Sequence, residues 1–178
     1  MKRIMVIGVS AGAGKSTFAT RLGKALEIDV FHLDAFFWKP GWVEASMEEF
    51  TSAQKDIIHT NSTWIVEGNY TATFDIRAEK ADIIIYLEIP LRVCLYRVIK
   101  RWLTNLGNRR PDLGGGCTER MEWAFIKFII TTYRARKIAM KKRLDFYQED
   151  KLVVRLKGKA AIEYFLQAIE QSKSSSAS

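Results

Sequence analysis

The chain has 178 residues, 48% of them hydrophobic and 27% charged, with 28 Lys and Arg against 20 Asp and Glu. Those values are of a soluble globular protein and fit one domain with a full core. No apolar run is long enough to span a membrane as a helix, the basic start MKRIMVIG has only a few apolar residues and does not suggest a signal peptide, and Cys94 and Cys117 form no CxxC pair; neither a disulfide framework nor a zinc site is signalled, and a cytoplasmic location is expected.

Residues 4–7 are an apolar run that reads as a buried strand. A glycine-rich turn follows from Gly8 to Gly14. Lys15-Ser16-Thr17 then opens a stretch with helical spacing at Phe18, Leu22, Ala25 and Leu26. Strand, glycine turn, Gly-Lys-Ser and helix is the setting of a phosphate-binding P-loop. Phosphate oxygens need several N–H donors converging on one point. Glycines let the backbone wrap closely, and the first helical turn adds unpaired N–H groups and the positive end of its dipole. Ala11, Gly12, Ala13, Gly14, Lys15, Ser16 and Thr17 are thus candidate ATP-binding residues. Lys15 is expected to reach the β- and γ-phosphates, and Ser16 to place its hydroxyl on Mg²⁺. The full G-x-x-x-x-G-K-[ST] pattern asks for its first glycine at position 9, which is Val9; Gly8 stands one residue early.

Residues 28–33 read as a second strand ending at Asp34. The aromatics and Pro-Gly turn of residues 36–42 suggest an ordered loop. Ser46 and Glu49 have the spacing of a capping box, opening a helix that turns Phe50, Ile57 and Ile58 inward. Residues 63–66 are a third strand ending at Glu67-Gly68, and a short helical segment spans 74–80. Residues 83–87 are a fourth strand, and Pro90 starts a helix over 91–103. Residues 105–117, rich in glycine, break the pattern and form a loop of about a dozen residues, a length that in a compact domain is usually functional or disordered. A long helix follows over 118–146, with Trp123, Phe125, Phe128, Ile129 and Tyr133 as core candidates. Residues 152–156 are a fifth strand, 160–169 a last helix, and 172–178 a disordered tail.

Alternating strands and helices imply a parallel α/β sheet covered on both faces, with ligands at the carboxyl ends of its strands. Lys15, Asp34 and Glu67 all follow strand ends and should gather at one sheet edge. Glu67 fits the acid that holds Mg²⁺ after an apolar strand, with Glu88 as its rival. Asp34 suits an acid that orients or deprotonates an acceptor hydroxyl, one that holds Mg²⁺ through water, or one that caps the next turn. Arg109 and Arg110 lie in the glycine-rich loop and are expected to close over the transferring phosphoryl group as a lid. Arg97 and Arg101 are one helical turn apart and share a face, whereas Arg134 and Arg136 cannot both face one site. Trp38 and Trp42 are either stacking residues or core anchors. His32 and His59 have no partner at metal spacing and read as structural.

Six Lys or Arg and no acid fall in residues 92–110, and six more with no acid in 134–143. Basic patches so localised call for an anionic partner: polyphosphate in a pocket, or nucleic acid on a face.

The order of these pieces resembles the adenylate-kinase-like group of small P-loop kinases. More narrowly, His32-Leu33-Asp34, residues 37–42, Glu67-Gly68-Asn69-Tyr70, Cys94-Leu95-Tyr96-Arg97, Arg110-Pro111-Asp112 and Gly116-Cys117 resemble the bacterial FlaR-type topology modulation proteins. The resemblance spans residues 1–168. It implies a five-stranded parallel sheet in the order 2-3-1-4-5, one kinase-like domain over 1–171 and a lid at about 104–118. Gly12, Gly14, Lys15, Ser16 and Thr17 would bind ATP phosphates. Adenylate kinases continue Asp-Gly-Phe-Pro-Arg, where the arginine holds the AMP phosphate. Here Gly68 is followed by Asn69, Tyr70 and Thr71, with no arginine before Arg77. Asp34 is more like the acid of shikimate- and gluconate-type kinases, whose acceptor is a hydroxyl. The expected activity is transfer of the γ-phosphate of Mg·ATP to a small acceptor, with Lys15, Asp34, Arg109 and Arg110 catalytic and Arg101 on the nucleotide. The alternative is an ATP-binding regulatory protein that acts on DNA topology through its basic patches, although no helix-turn-helix or zinc finger is present.

Overall fold

A computed structural model describes residues 2–104 and 122–176. Its elements run β1 (Arg3–Gly8), α1 (Lys15–Leu26), β2 (Val30–His32), α2 (Leu33–Phe37), β3 (Trp38–Lys39), β4 (Val43–Glu44), α3 (Met47–Thr60) and β5 (Trp64–Glu67). A 3-10 turn (Thr71–Thr73), α4 (Phe74–Ala78), β6 (Ile83–Glu88), α5 (Leu91–Thr104), α6 (Trp123–Tyr147), β7 (Leu152–Lys157) and α7 (Gly158–Ser176) complete it.

Five strands form one parallel sheet in the order β2-β5-β1-β6-β7. This is the expected 2-3-1-4-5 order once the two short strands β3 and β4 are numbered. They pair antiparallel as a separate hairpin around Pro40-Gly41. The sheet is parallel because helices intervene between its strands, and its central strands are apolar on both sides for the same reason. Met5, Val6 and Ile7 of β1 and Ile84, Ile85 and Leu87 of β6 are all buried. At about 1.5–3 kcal/mol for each large apolar side chain removed from water, these two strands supply a large part of the driving force for folding.

α1 packs against α7, where Phe18 and Phe165 stack with ring centroids 6.1 Å apart. Arg21 of α1 ties the pair at its surface, bonding Glu163 and Glu170 of α7. The Ser46–Glu49 capping box is present at the start of α3, and Phe50, Ile57 and Ile58 are buried as expected.

Three expectations are corrected. The second strand stops at His32, and Asp34 is the second residue of α2 instead of a strand terminus. On α6, Ile129 is buried but Trp123, Phe125 and Phe128 are exposed; the buried positions are Ile126, Ile129, Leu144 and Tyr147. Ile126 and Ile129 meet Val98 of α5 in a small apolar cluster of their own, so that stretch of α6 packs on a helix and needs only a narrow apolar stripe. The last helix continues to Ser176, past the expected end at residue 169. The glycine-rich loop and the start expected for α6 at residue 118 lie outside the described residues.

Candidate active site

The glycine-rich turn joins β1 to α1 and is clamped from behind by α5. Gly12 has φ +76°, and a Cβ there would lie 2.3 Å from the Cys94 carbonyl oxygen. Only glycine permits both that conformation and that approach. Arg97 of α5 donates to the carbonyl oxygens of Ala13 at 3.1 Å and Gly12 at 3.4 Å, occupying two acceptors of the loop. Arg97 therefore braces the loop through its backbone. Gly8 also acquires a reason for standing one residue early. A Cβ there would meet Lys15 Cγ and Ala13 Cβ, each at 2.9 Å, so glycine leaves room for the Lys15 stem.

Lys15, Ser16, His32 and Glu67 converge where β1, β2 and β5 end. The Ser16 hydroxyl donates to Glu67 Oε2 at 3.1 Å, and Lys15 Nζ lies 3.7 Å from Glu67 Oε1. His32 Nδ1 is 3.0 Å from Glu67 Oε2, so His32, read from sequence as structural only, belongs to this cluster. Its signal was present in the alternation of β2, which puts a polar ring at the strand's carboxyl end beside β5, in register with Glu67. Glu67 is 4% exposed. Burial alone pushes its carboxyl up, but the His32 hydrogen bond, the Lys15 and His32 charges and the Ser16 bond outweigh that and leave it below the ordinary value. Glu67 is thus an ionised, buried carboxylate touching a hydroxyl. Its rival Glu88 is engaged elsewhere, 3.0 Å from Lys137 Nζ.

Oxygen donors of this kind fit Mg²⁺, which takes few protein ligands and keeps water or phosphate for the rest. Among the described residues no group of three or more His, Cys, Asp or Glu gathers at metal spacing. The residues that could hold it are Ser16 and Glu67.

Asp34 receives the Tyr70 hydroxyl on Oδ1 at 2.7 Å. Tyr70 is placed by Arg77, which sequence reasoning did not single out. Arg77 is fully buried, donates to Gly68 O at 2.8 Å and to Tyr70 O at 3.0 Å, and is pulled down by burial to about 10. It remains charged at neutral pH and fixes the chain between β5 and α4. That chain also carries Asn69, whose Oδ1 accepts from the Gly8 amide at 2.9 Å, tying the β5 turn to the P-loop. No local pattern announces Arg77; only its burial identifies it.

Two clefts meet at these residues. The first, about 500 Å³, runs from Ala11–Phe18 toward α7, where Lys159, Ile162 and Glu163 line its far end. The second, about 480 Å³, is lined by Trp38, Trp42, Tyr70, Trp102 and Phe125, with Asn69, Arg101 and Arg136. Ala11, Lys15, Asp34, Arg101 and Phe125 line both. Arg97 lines the first cleft, so Arg97 and Arg101 do serve one face of α5. Of the α6 pair, Arg136 lines the second cleft and Arg134 is exposed outside it. Cys94 is buried in the core, and His59 is exposed on α3. Arg109, Arg110 and Cys117 lie outside the described residues.

No protein-family model matches the chain, and no curated protein matches its sequence. Solved structures do. A gluconokinase from Sinorhizobium meliloti 1021 shares 13% identity, with 97% of this chain and 91% of that one covered and a TM-score of 0.56. A deoxyadenosine kinase from M. mycoides shares 16% identity over 98% and 99% of the two chains, with a TM-score of 0.54. A shikimate kinase from Acinetobacter baumannii, solved with shikimate, shares 15% identity over 99% and 95%, with a TM-score of 0.53. At these identities the likeness is one of fold: the chain has the fold of P-loop kinases.

Proposed function

We propose that this protein is a phosphotransferase that binds Mg·ATP on the P-loop and passes its γ-phosphate to a small hydroxyl-bearing acceptor in the second cleft. The observation that carries the reading is that Lys15 and Asp34 line both clefts, so a phosphate donor in one and a hydroxyl in the other would meet between them. The nucleotide's phosphates would lie on residues 11–17. Its base would point along the first cleft toward Lys159 and Ile162.

Mg²⁺ on Ser16 and Glu67 would supply positive charge against the phosphate oxygens. The chain's own residues do the rest. Glu67 holds the Ser16 hydroxyl and the Lys15 ammonium in place. Lys15 would stabilise charge that develops on the transferring phosphoryl oxygens. One oxygen of Asp34 is occupied by Tyr70, which orients the carboxylate and leaves its other oxygen to accept the acceptor's hydroxyl proton. Arg101 borders both clefts and is suited to the phosphate between them, with Arg109 and Arg110 proposed to close from the loop that precedes α6.

The alternative, a DNA-binding regulator, receives less support. Arg97 of the first basic patch is spent on P-loop carbonyls, and Arg101 and Arg136 face clefts. The test is ADP release from Mg·ATP across nucleosides, sugars and hydroxy acids, with Lys15→Ala beside the wild type. Acceptor-dependent release that disappears in Lys15→Ala is expected. ATP binding with no release for any compound would refute the phosphotransferase reading.

A further inference from the structure

We infer that the second cleft takes an acceptor built on a flat aromatic or heteroaromatic ring that carries both the reacting hydroxyl and a separate anionic group, with Arg136 holding the anion. The inference rests on the phosphotransferase reading and narrows its acceptor.

The ring follows from the walls. Trp38 and Trp42 approach edge to face, with centroids 5.3 Å apart, across the β3–β4 hairpin. Tyr70 enters from the β5 turn, Trp102 from α5 and Phe125 from α6. With Phe128, also from α6, six aromatic side chains from four segments border one cleft, and its lining is mainly apolar. A polyol would cover these aromatic walls poorly, since it offers them no apolar face of its own. A flat ring would stack on these side chains, a contact open to any ring with a π-face.

The anion follows from Arg136. Its guanidinium is half-buried, lies over the Phe128 ring with its carbon 5.4 Å from the centroid, and pairs with no carboxylate among the described residues. Its neighbour Lys137 is paired with Glu88. Arg155, also partly buried, is paired with Asp145. A half-buried cation without a counter-charge is costly, and an incoming anion relieves that cost. Arg136 also lines a third cleft, of about 570 Å³, that continues past it beside Asn69 and Thr71. Asn69 and Thr71, which carry neutral hydrogen-bonding groups, line both clefts together with Arg136.

The hydroxyl follows from Asp34, at the junction with the first cleft. In the step, the acceptor oxygen forms a bond to the γ-phosphorus, the bond from that phosphorus to the bridging oxygen breaks, and ADP leaves with the electron pair. The hydroxyl proton passes to the Asp34 carboxylate. The anionic group at Arg136 is a handle and does not react.

The test measures ADP release and tryptophan quenching with adenosine, thymidine, their 5′-monophosphates, a hydroxymethyl-substituted aromatic acid, and the non-aromatic acids gluconate and shikimate. The variants are Arg136→Met, which keeps the aliphatic stem, and Arg136→Lys, with thermal melts to check folding. A ring compound bearing an anion is expected to give the highest kcat/KM, and ³¹P spectra to place the new phosphate on a hydroxyl. Arg136→Met should raise KM for that compound about 10- to 100-fold and leave KM for its uncharged counterpart within about twofold, with Arg136→Lys recovering part of the loss. Preference for gluconate or shikimate, transfer onto the phosphate of a monophosphate, or an equal KM rise for charged and uncharged rings would overturn the inference and leave the phosphotransferase reading intact. If no compound gives Lys15-dependent ADP release, the phosphotransferase reading itself falls, and the acceptor assignment with it.

Discussion

Ser16 and Glu67 are 51 residues apart in the chain, yet the serine hydroxyl donates to the glutamate carboxylate at 3.1 Å. The contact exists because β1 and β5 are parallel neighbours, with Val6 opposite Glu67, so the loop after β1 and the last residue of β5 reach the same edge. Lys15 and His32 close around the same carboxylate. One buried acid therefore orients a hydroxyl, an ammonium and an imidazole.

Glu67→Gln keeps an acceptor for Ser16 but removes the charge. The apparent affinity for Mg²⁺, read from ADP release titrated with the metal, should weaken roughly 10- to 100-fold. An unchanged Mg²⁺ titration would remove Glu67 from the proposed metal site.

Gly12→Ala puts a methyl group 2.3 Å from the Cys94 carbonyl oxygen and holds alanine at φ +76°. The obstacle is backbone, so no side chain can swing aside. A loss of about 2–3 kcal/mol in urea unfolding is expected, with weaker ATP binding because the loop and α5 must separate. Gly41→Ala is the contrast: its φ is also positive, but nothing lies within 4 Å of its Cβ, so its cost should be the smaller conformational part alone.

Arg77→Met removes the donors of the Gly68 and Tyr70 carbonyls. It also removes the cost of burying a guanidinium, which offsets part of the loss. The net destabilisation should be about 2 kcal/mol. The informative readout is kinetic. With the Tyr70 segment loosened, KM for the acceptor should rise while KM for ATP stays within about twofold. Equal changes in both would assign Arg77 to the fold alone.

The Arg3–Asp82 pair gives the pH dependence. The Arg3 side-chain and backbone donors, at 2.6 to 3.2 Å, hold the Asp82 carboxyl below its ordinary value against the opposing effect of burial. A carboxyl with a lowered folded-state pKa contributes stability that is complete above its unfolded value of about 3.9 and is lost as pH falls through the folded one. Both side chains are about a third exposed, so solvent screening limits the contribution to about 1 kcal/mol or less. Asp82→Asn should lower Tm by about 2–4 °C at pH 7, and the gap should narrow steadily as pH falls below the unfolded value of about 3.9. A gap of constant size across that fall would mean the charge is not what stabilises.

What the sequence by itself determined is what depends on near neighbours. The P-loop, the capping box of α3, the apolar strands and their parallel order are set by glycine spacing, side-chain periodicity and the length of the crossovers, all of which are local. The placement of Glu67 at a strand end was legible for the same reason. The tertiary structure alone decided which side chains meet. It brought His32 to Glu67, turned Arg97 onto P-loop carbonyls, buried Arg77 under the Tyr70 segment and selected Arg136 over Arg134. It moved Asp34 from a strand end into α2, where Tyr70 reaches it, because β2 pairs with β5 only as far as His32. A charged residue looks the same in a sequence whether it points to water, to a backbone carbonyl or into a cleft. Its environment is made by segments tens of residues away, and only packing supplies them.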